Sequence, residues 1–423
     1  MTRKLKRELF NLARESDLAG WRFLVSMFWR GAVSGRRASG NDSRLQEITG
    51  VLAHFPRNYL YKRQLPEALG LADLANRAVR GARSVSLSYC VVLKQYVSED
   101  EKGVLLVSFE NQLTQMLDSG RVDEILARYQ LIFIPSWSGL YSRELFRLVA
   151  AARQEPVFVM PVHSHERELV PTLGTNCHSL PFNAASWVNP TFFEGPVQER
   201  DIDCLMVANF ASFKRHWLLF KALKGLPEDI KVTCVGVPLG SRTAESIRQE
   251  AAEYGVSDQV TIVEDPSQEE LGRYFRRAKM FCAMSYREGS FIAVAESLMS
   301  GTPVLMFRNA HIGTKSLINE DTGALVKSVR ELRQKILEYR NFEGHEQVRQ
   351  TSLENISAQA NSRKLNDMLR DWSISNGKTW TVDIEPFYSQ RLDFHYFSDD
   401  SRDRLADDYR YLSELGIRFP RFS

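Results

Sequence analysis

Short runs of β-branched and aromatic residues alternate with segments of helical periodicity from Ser84 onward. Most runs are apolar at consecutive positions, which is typical of strands in a parallel sheet that helices cover on both faces. Ser267 and Ser328 are each followed three residues later by Glu, which predicts a capping box at a helix start. The pattern indicates an α/β fold. The predicted strands are 85–93, 104–109, 131–135, 157–162, 202–208, 230–237, 260–264, 280–284 and 303–307.

The alternation of strands and helices forms two series, at about 84–162 and 203–326, separated by a polar, charged stretch through Arg200. A chain of 423 residues is long enough for two or three domains. We therefore predict two Rossmann-like domains with an additional segment at each end. The predicted segments are a basic amphipathic segment at 1–45, domains at 46–195 and 196–370, and an aromatic-rich extension at 371–423 that docks on a folded surface.

Net charge, cysteine spacing and the length of apolar runs exclude several classes of protein. The formal net charge is only +3, so the chain lacks the general basic field with which nucleic-acid-binding proteins neutralise phosphates, and we predict no nucleic-acid partner. The five cysteines are scattered, odd in number and without Cys-x-x-Cys spacing, which is typical of core residues in a reducing compartment. No run of 18 uncharged apolar residues occurs, so we predict no transmembrane helix and a cytoplasmic protein.

Positive charge is concentrated at the amino terminus. The first 37 residues contain nine Lys or Arg and three acidic residues, interleaved with Leu, Phe and Trp. A basic amphipathic helix of this kind can lie on an anionic membrane surface, which would place the protein at the inner face of the membrane. The alternative is a terminal helix that packs on its own domain.

The segment 280–306 carries the strongest chemical pattern. A buried strand is followed by Glu288 in a turn, Gly289 permits close approach of a ligand to the backbone, and Ser290 is predicted to cap the next helix. The free amides of Ser290, Phe291 and Ile292 would then face the carboxyl edge of the sheet, where a helix amino terminus binds a diphosphate.

The predicted helix after this turn is apolar on all sides except at Glu296 and Ser297. A carboxylate on such a helix is costly unless a partner satisfies it, and a bound ligand would do so. The alternative is that Glu288 is a solvated turn residue and Glu296 one half of a salt bridge in the core.

A second candidate patch is the strand, loop and helix at 205–223. Its loop places Lys214 and Arg215 near another helix start, where they could neutralise a diphosphate and stabilise the charge that grows on it during bond cleavage. The alternative is an exposed basic loop.

Glu288 and Glu296 with the following Gly301-Thr-Pro-Val304 resemble the Glu-x7-Glu and Gly-x-Pro-Val signature of the retaining GT-B glycosyltransferases of family 4. The resemblance covers about 131–326. It implies two Rossmann-like doubly wound domains facing across a cleft, with 46–195 binding the acceptor and 196–370 the donor. It also implies that Glu288 contacts the donor sugar and Glu296 the ribose of the nucleotide.

The chain departs from the family pattern at two places. Asn209 stands where the family has an Arg after the strand, and it is a predicted donor-binding residue. The positive charge that the family Arg supplies is therefore expected from Lys214 and Arg215. Ala184 replaces the Gly of the interdomain hinge.

His163 occupies the place where related enzymes carry a His that faces the donor sugar. It is a predicted catalytic residue, with His165 a weaker candidate.

The resemblance implies a retaining transfer from a nucleotide diphosphate sugar to a glycan or lipid-linked acceptor, in surface polysaccharide biosynthesis by family frequency. No Asp-x-Asp motif lies at a predicted strand end, so we expect neither a metal nor another cofactor. Two alternatives remain open: a catalytically inactive GT-B binding or scaffold protein, which Asn209 suggests, and a nucleotide-sugar epimerase.

Overall fold

The computed structural model describes residues 83–137, 139–140, 142–195 and 199–422. The predicted basic segment 1–45 and the start of the predicted domain 46–195 lie outside these residues. The described chain forms two compact units. The first comprises the residues up to Ala184 and from Ser362 on, and the second is Ala185–Asn361. The predicted borders at 195/196 and 370/371 thus differ from the observed ones, because residues 185–195 pack in the second unit and 362–370 in the first.

The first unit begins with a five-stranded sheet in the order β2-β3-β4-β5-β6. Strand β2 pairs antiparallel with β3, and the other pairs are parallel. The predicted strand 85–93 is divided in two, since β1 leaves this sheet to pair elsewhere. The elements are β1 Val85–Ser86, β2 Cys90–Lys94, β3 Gly103–Ser108, α1 Glu110–Asp118, α2 Val122–Arg128, β4 Tyr129–Ile134, α3 Arg143–Ala152, β5 Val157–Val159 and β6 Cys177–Ser179.

The second unit is built around six parallel strands in the order β12-β11-β10-β7-β8-β9. Its strands are apolar runs that helices cover, and their side chains form one continuous core. The elements are β7 Ile202–Val207, α4 His216–Leu223, β8 Val232–Gly236, α5 Ala244–Tyr254, β9 Val260–Glu264, α6 Gln268–Arg277, β10 Ala278–Ala283, α7 Ile292–Met299, β11 Val304–Phe307, β12 Gly323–Val326, α8 Val329–Tyr339 and α9 His345–Ile356.

The capping signals are observed where the sequence places them. Ser267 and Glu270 form the reciprocal box at the start of α6. The Ser328 hydroxyl accepts a hydrogen bond from the Glu331 backbone N–H at 3.2 Å, but the Glu331 carboxylate accepts from the Lys327 N–H instead of that of Ser328. Both helices therefore start at the predicted residues.

Helix α10, Ala358–Ser375, leads the chain back to the first unit, where the aromatic-rich extension packs. Tyr396 and Tyr409 share a hydrogen bond and both contact the backbone of Val92, while Asp408 accepts from the Tyr129 hydroxyl at 2.7 Å. The extension thus docks on the first sheet, as its composition indicates. Its elements are β13 Phe387–Gln390, β14 Asp393–Tyr396, α11 Asp400–Arg404, α12 Ala406–Glu414 and β15 Ile417–Arg418, which pairs with β1.

The α/β class is confirmed, and all five cysteines are free and buried in the two cores. None of the described helices combines the length and apolar character needed to cross a bilayer.

Candidate functional site

The strand order of the second unit reverses between β7 and β10. In a doubly wound sheet, the crossover connections on the two sides of such a point leave a crevice at the carboxyl ends of the two central strands, and ligands bind there. The loop after β7 contains Asn209, Lys214 and Arg215, and the loop after β10 contains Glu288 and Gly289. The two candidate patches therefore lie on neighbouring strands at the switch point.

Lys214 and Glu288 form a buried ion pair. The Lys214 Nζ lies 2.5 Å from Glu288 Oε1, and the two side chains are only 8% and 12% exposed. Ser285 donates its hydroxyl to the same carboxylate oxygen at 2.6 Å. The Lys214 ammonium also lies 4.6 Å from the centre of the Phe291 ring. Glu288 is therefore not a solvated turn residue, and the basic loop is not an exposed one.

The turn that carries Glu288 is bound to a neighbouring segment of backbone. The Glu288 N–H donates to the His311 carbonyl at 3.0 Å, and the His311 N–H donates to the Tyr286 carbonyl at 2.7 Å. The Gly289 carbonyl accepts from Gly313 at 2.8 Å. These bonds fix the position of the carboxylate before any ligand binds, which is the condition for preorganised electrostatic stabilisation.

The predicted cap at Ser290 is wrong. The N-cap of α7 is Phe291, whose backbone adopts the left-handed conformation with φ 54, and the helix begins at Ile292. The Phe291 side chain is buried, with its ring centre 6.0 Å from that of Phe281, and this packing holds the unusual backbone conformation. The first-turn amides therefore begin at Ile292, the last of the three residues expected to face a diphosphate.

Helix α7 is a core element, as predicted. Six of its eight residues are buried, and the two that are half-buried are Ile292 and Glu296. These two residues are four apart, so they share one face of the helix. Glu296 therefore lies on the face of α7 that is least covered by the core, where a ligand could reach its carboxylate.

Arg215 is buried among aromatic rings. Its backbone has φ 63, and its guanidinium carbon lies 5.9 Å from the ring centre of Tyr286 and 5.5 Å from that of Phe307. The residue is 5% exposed. Of the two adjacent cations, Lys214 is thus the one that the structure pairs with Glu288.

His216 begins α4 directly after these cations, and sequence reasoning missed it. Both ring nitrogens are buried and have no hydrogen-bond partner among the residues that the structure describes. Burial, followed by the charges of Arg242 and Lys214, lowers the pKa of His216 to about 3. The ring is therefore neutral at pH 7. The sequence signal for His216 was a polar residue in an otherwise apolar helix start. Sequence reasoning also missed Ser285, whose signal was a hydroxyl directly after the predicted strand 280–284.

Asn209 shapes the loop in which the cations lie. Its side-chain oxygen accepts a hydrogen bond from the Ala211 N–H at 3.2 Å, which closes a turn two residues long. The structure shows this local role, and donor binding by Asn209 stays a prediction.

His163 lies in the first unit, after β5. Its backbone N–H donates to the Glu166 carboxylate at 3.2 Å, which opens a short 3₁₀ helix, and its ring stacks on His165 at 5.2 Å between centres. These contacts are those of a capping residue, and a catalytic role stays a prediction.

Among the described residues, no group of three or more His, Cys, Asp or Glu side chains could hold a metal ion. The described site of the second unit offers the Lys214 ammonium, the Glu288 and Glu296 carboxylates and the amino terminus of α7. Such a set can bind an anionic group and the hydroxyls of a sugar.

Comparison with known proteins identifies a family and relatives that are similar to this chain. Residues 189–350, which are less than half of the chain, match the family described as Glycosyl transferases group 1. D-inositol 3-phosphate glycosyltransferase of Mycobacterium sp. (strain KMS) is 32% identical over 131 residues, 30% of this chain and 29% of that protein. The enzyme of the same name from Nocardia farcinica is 34% identical over 102 residues, 23% of this chain and 22% of that protein. The matched segments thus span less than a third of these relatives.

Two solved structures share the fold. Sucrose-phosphate synthase from Thermosynechococcus elongatus aligns with TM-score 0.50 and 19% identity, over 64% of this chain and 74% of that one. Anabaena HepE in complex with UDP aligns with TM-score 0.51 and 12% identity, over 64% and 79%. The chain therefore shares the GT-B fold of these structures, and residues 189–350 match the group 1 glycosyltransferase family.

Proposed function

We propose that the protein is a retaining glycosyltransferase that moves a sugar from a nucleotide diphosphate donor to a glycan or lipid-linked acceptor. The observation that carries the proposal is the buried Lys214–Glu288 pair beside the amino terminus of α7 at the switch point of a group 1 domain. A diphosphate bound there meets a positive charge and the first-turn amides at once. We propose a role in surface polysaccharide biosynthesis on family resemblance.

In the proposed reaction, the bond between the anomeric carbon and the diphosphate oxygen breaks, and negative charge grows on the leaving group. Lys214 stabilises this charge, because it is held in place by Glu288 and needs no reorganisation. The acceptor oxygen bonds to the anomeric carbon on the face that the diphosphate leaves. The leaving phosphate oxygen takes the acceptor proton, so no separate general base is required.

Three further candidates have a proposed role. Glu288 accepts hydrogen bonds from sugar hydroxyls with the carboxylate oxygen that Lys214 and Ser285 leave open. Glu296, on the least covered face of α7, binds the ribose hydroxyls. His163 faces the donor sugar, as the family resemblance implies. A uridine donor is the first to test, since the Anabaena neighbour was solved with UDP.

The test begins with thermal unfolding of the full chain in the presence of UDP, GDP and their sugars. A ligand at 100 times its dissociation constant adds about 2.7 kcal/mol of stability. The stabilising nucleotide sugar is then assayed for turnover with wild type, Glu288→Ala and Lys214→Met. We expect turnover to fall by about 10²- to 10³-fold in both variants.

The alternatives give other results. A binding or scaffold protein would be stabilised by the nucleotide but would turn over no donor, with or without acceptors. An epimerase would convert the donor with no acceptor present, which product analysis by NMR would show. Inversion at the anomeric carbon of the product would contradict the retaining mechanism.

We also propose that the basic segment 1–37 brings the protein to the inner face of the membrane, on the grounds of its nine cations against three acids. The full chain is expected to sediment with vesicles containing phosphatidylserine at low salt and not with neutral phosphatidylcholine vesicles. Equal behaviour with both vesicles would contradict this proposal.

A further inference from the structure

The first unit contains a cavity of about 700 Å³ at the edge of its sheet where the parallel strands begin. Lys102 and Pro156 directly precede β3 and β5, Gln130 is the second residue of β4, and Asn176 directly precedes β6. Trp372, near the end of α10, forms another wall. His163 follows β5 and so lies toward the opposite edge of the sheet. The cavity is therefore separate from the site residues predicted for this unit.

Both lysines of the wall are already paired with carboxylates, and the exposed Glu99 adds a further carboxylate. Lys102 Nζ lies 2.7 Å from a Glu155 carboxylate oxygen, and Lys378 Nζ lies 3.2 Å from one of Asp100. Burial lowers the pKa of His178, which keeps its ring neutral. An anion would have to displace a carboxylate from one of the two lysines. The cavity thus disfavours an anionic ligand.

Primary amides supply the remaining polar groups of the wall. Gln130, at the floor, is only 7% exposed, and its Oε1 accepts no hydrogen bond from the residues that the structure describes. Gln154, Asn176 and Asn376 add three more carboxamides. Asn176 donates to the Glu155 carbonyl at 2.9 Å and Asn376 to that of Trp372 at 2.8 Å, and the side-chain oxygens of both can accept from a ligand. An amide both donates and accepts, which is what a ligand with many hydroxyls requires. A buried acceptor without a partner destabilises the folded protein, and a ligand hydroxyl that moves in beside Gln130 would satisfy it.

Trp372 gives the cavity an apolar surface that is held in place. Its ring centre lies 5.2 Å from that of Phe158 and 5.2 Å from that of His178, both edge to face. The flat C–H face of a pyranose packs on an aromatic ring of this kind, while its hydroxyls point to the amides around it. The cavity volume is within the usual range for small-molecule sites.

We propose that this cavity binds a neutral saccharide, with Trp372 under one sugar ring and the amides of Gln130, Gln154 and Asn376 bonded to its hydroxyls. Such a site would hold a glycan at a place other than the switch point of the second unit. The proposal concerns binding alone and does not depend on the transfer reaction proposed above.

The test uses the full chain and three neutral probes, maltotriose, cellotriose and triacetylchitotriose, titrated by calorimetry and by saturation-transfer NMR. We expect saturable binding of at least one probe. The double variant Gln154→Ala/Asn376→Ala should bind it about tenfold more weakly, through the loss of two amides. Both residues are exposed, so folding should be unaffected, and matching thermal unfolding curves would verify this. Asn111→Ala removes an exposed amide of the same unit away from the cavity and should bind as wild type.

Three results would overturn the proposal: no saturable binding of any probe, binding that the double variant leaves unchanged, or displacement of the probe by inorganic phosphate. Lys214→Met separates this proposal from the previous one. It should lower donor turnover by about 10²- to 10³-fold and leave the trisaccharide affinity as it is. Loss of both together would show that the probe occupies the transfer site and not this cavity.

Discussion

The Lys214 ammonium and the Glu288 carboxylate meet at 2.5 Å, although they follow different strands and are far apart in the chain. They meet because β7 and β10 are neighbours, with Cys204 opposite Met280 in the register. The strand order therefore brings a cation and a carboxylate to one place at the edge of the sheet. Since both side chains are largely buried, the pair is held firmly, and its partners depend on each other.

Replacing Lys214 tests that dependence. Lys214→Met leaves Glu288 without its cation, and breaking a buried pair costs about 3 kcal/mol of the free energy of unfolding. Urea titration measures the cost. The matched control is Lys335→Met, which breaks an exposed pair with Glu338 and should cost less than about 1 kcal/mol. Equal costs for the two variants would show that the Lys214–Glu288 pair is not held as the structure indicates.

Glu296 should affect binding of the nucleotide more than stability. Glu296→Gln keeps the size of the side chain, and its half-buried position on α7 predicts little change in unfolding temperature. Loss of the charged acceptor should weaken nucleotide binding about tenfold, because hydrogen bonds to charged groups contribute about 1.5–3 kcal/mol. Calorimetry with the stabilising nucleotide measures this. Glu338→Gln, on the exposed side of α8, is the control, and an unchanged affinity for Glu296→Gln would refute the assignment.

His216 should make the second unit sensitive to acid. Its folded pKa of about 3 is below the usual 6.5, so above pH 6.5 both states carry a neutral ring and stability is full. As the pH falls from 6.5 toward 3, the unfolded chain binds a proton that the folded protein does not. The free energy of unfolding then falls by up to about 1.4 kcal/mol per pH unit.

His216→Gln should remove this part of the pH dependence, measured as the slope of unfolding free energy against pH between 6.5 and 4. His165→Gln, at an exposed position of the first unit, is the control. Parallel slopes for wild type and His216→Gln would contradict the expected burial of a neutral ring.

Gly301, in the Gly-Thr-Pro-Val segment, should not tolerate a side chain. Its φ is +72, and an added Cβ would lie 2.5 Å from the carbonyl oxygen of His345. Gly240 has a similar φ of +60 but nothing within 4 Å of that position. Gly240→Ala should therefore cost about 1 kcal/mol, for the backbone alone, and Gly301→Ala about 3 kcal/mol, measured by thermal unfolding. Similar losses would mean that the backbone near His345 moves away freely.

The local pattern of apolar and polar residues was enough to predict part of the fold. The long apolar runs at β7, β8, β10 and β11 were predictable because a buried parallel strand needs side chains that are apolar on both faces. Strand β6 was not predictable, because Cys177–Ser179 is only three residues long and contains His and Ser. The cap of α7 was mistaken because Ser290 has the stronger local preference, whereas the buried packing of Phe291 determines where the helix begins.

The sequence by itself determined the α/β class, the apolar helix with Glu296 on it, and the residue types of the site. Only the tertiary structure decided that Lys214, and not its neighbour Arg215, pairs with Glu288, and that Ser285 and His216 lie beside them. The cavity of the first unit likewise exists only in the folded structure, because its lining residues are distant in the chain. The physical reason is that composition and periodicity act over a few residues, while ion pairs and cavities depend on which strands become neighbours and on what solvent is excluded.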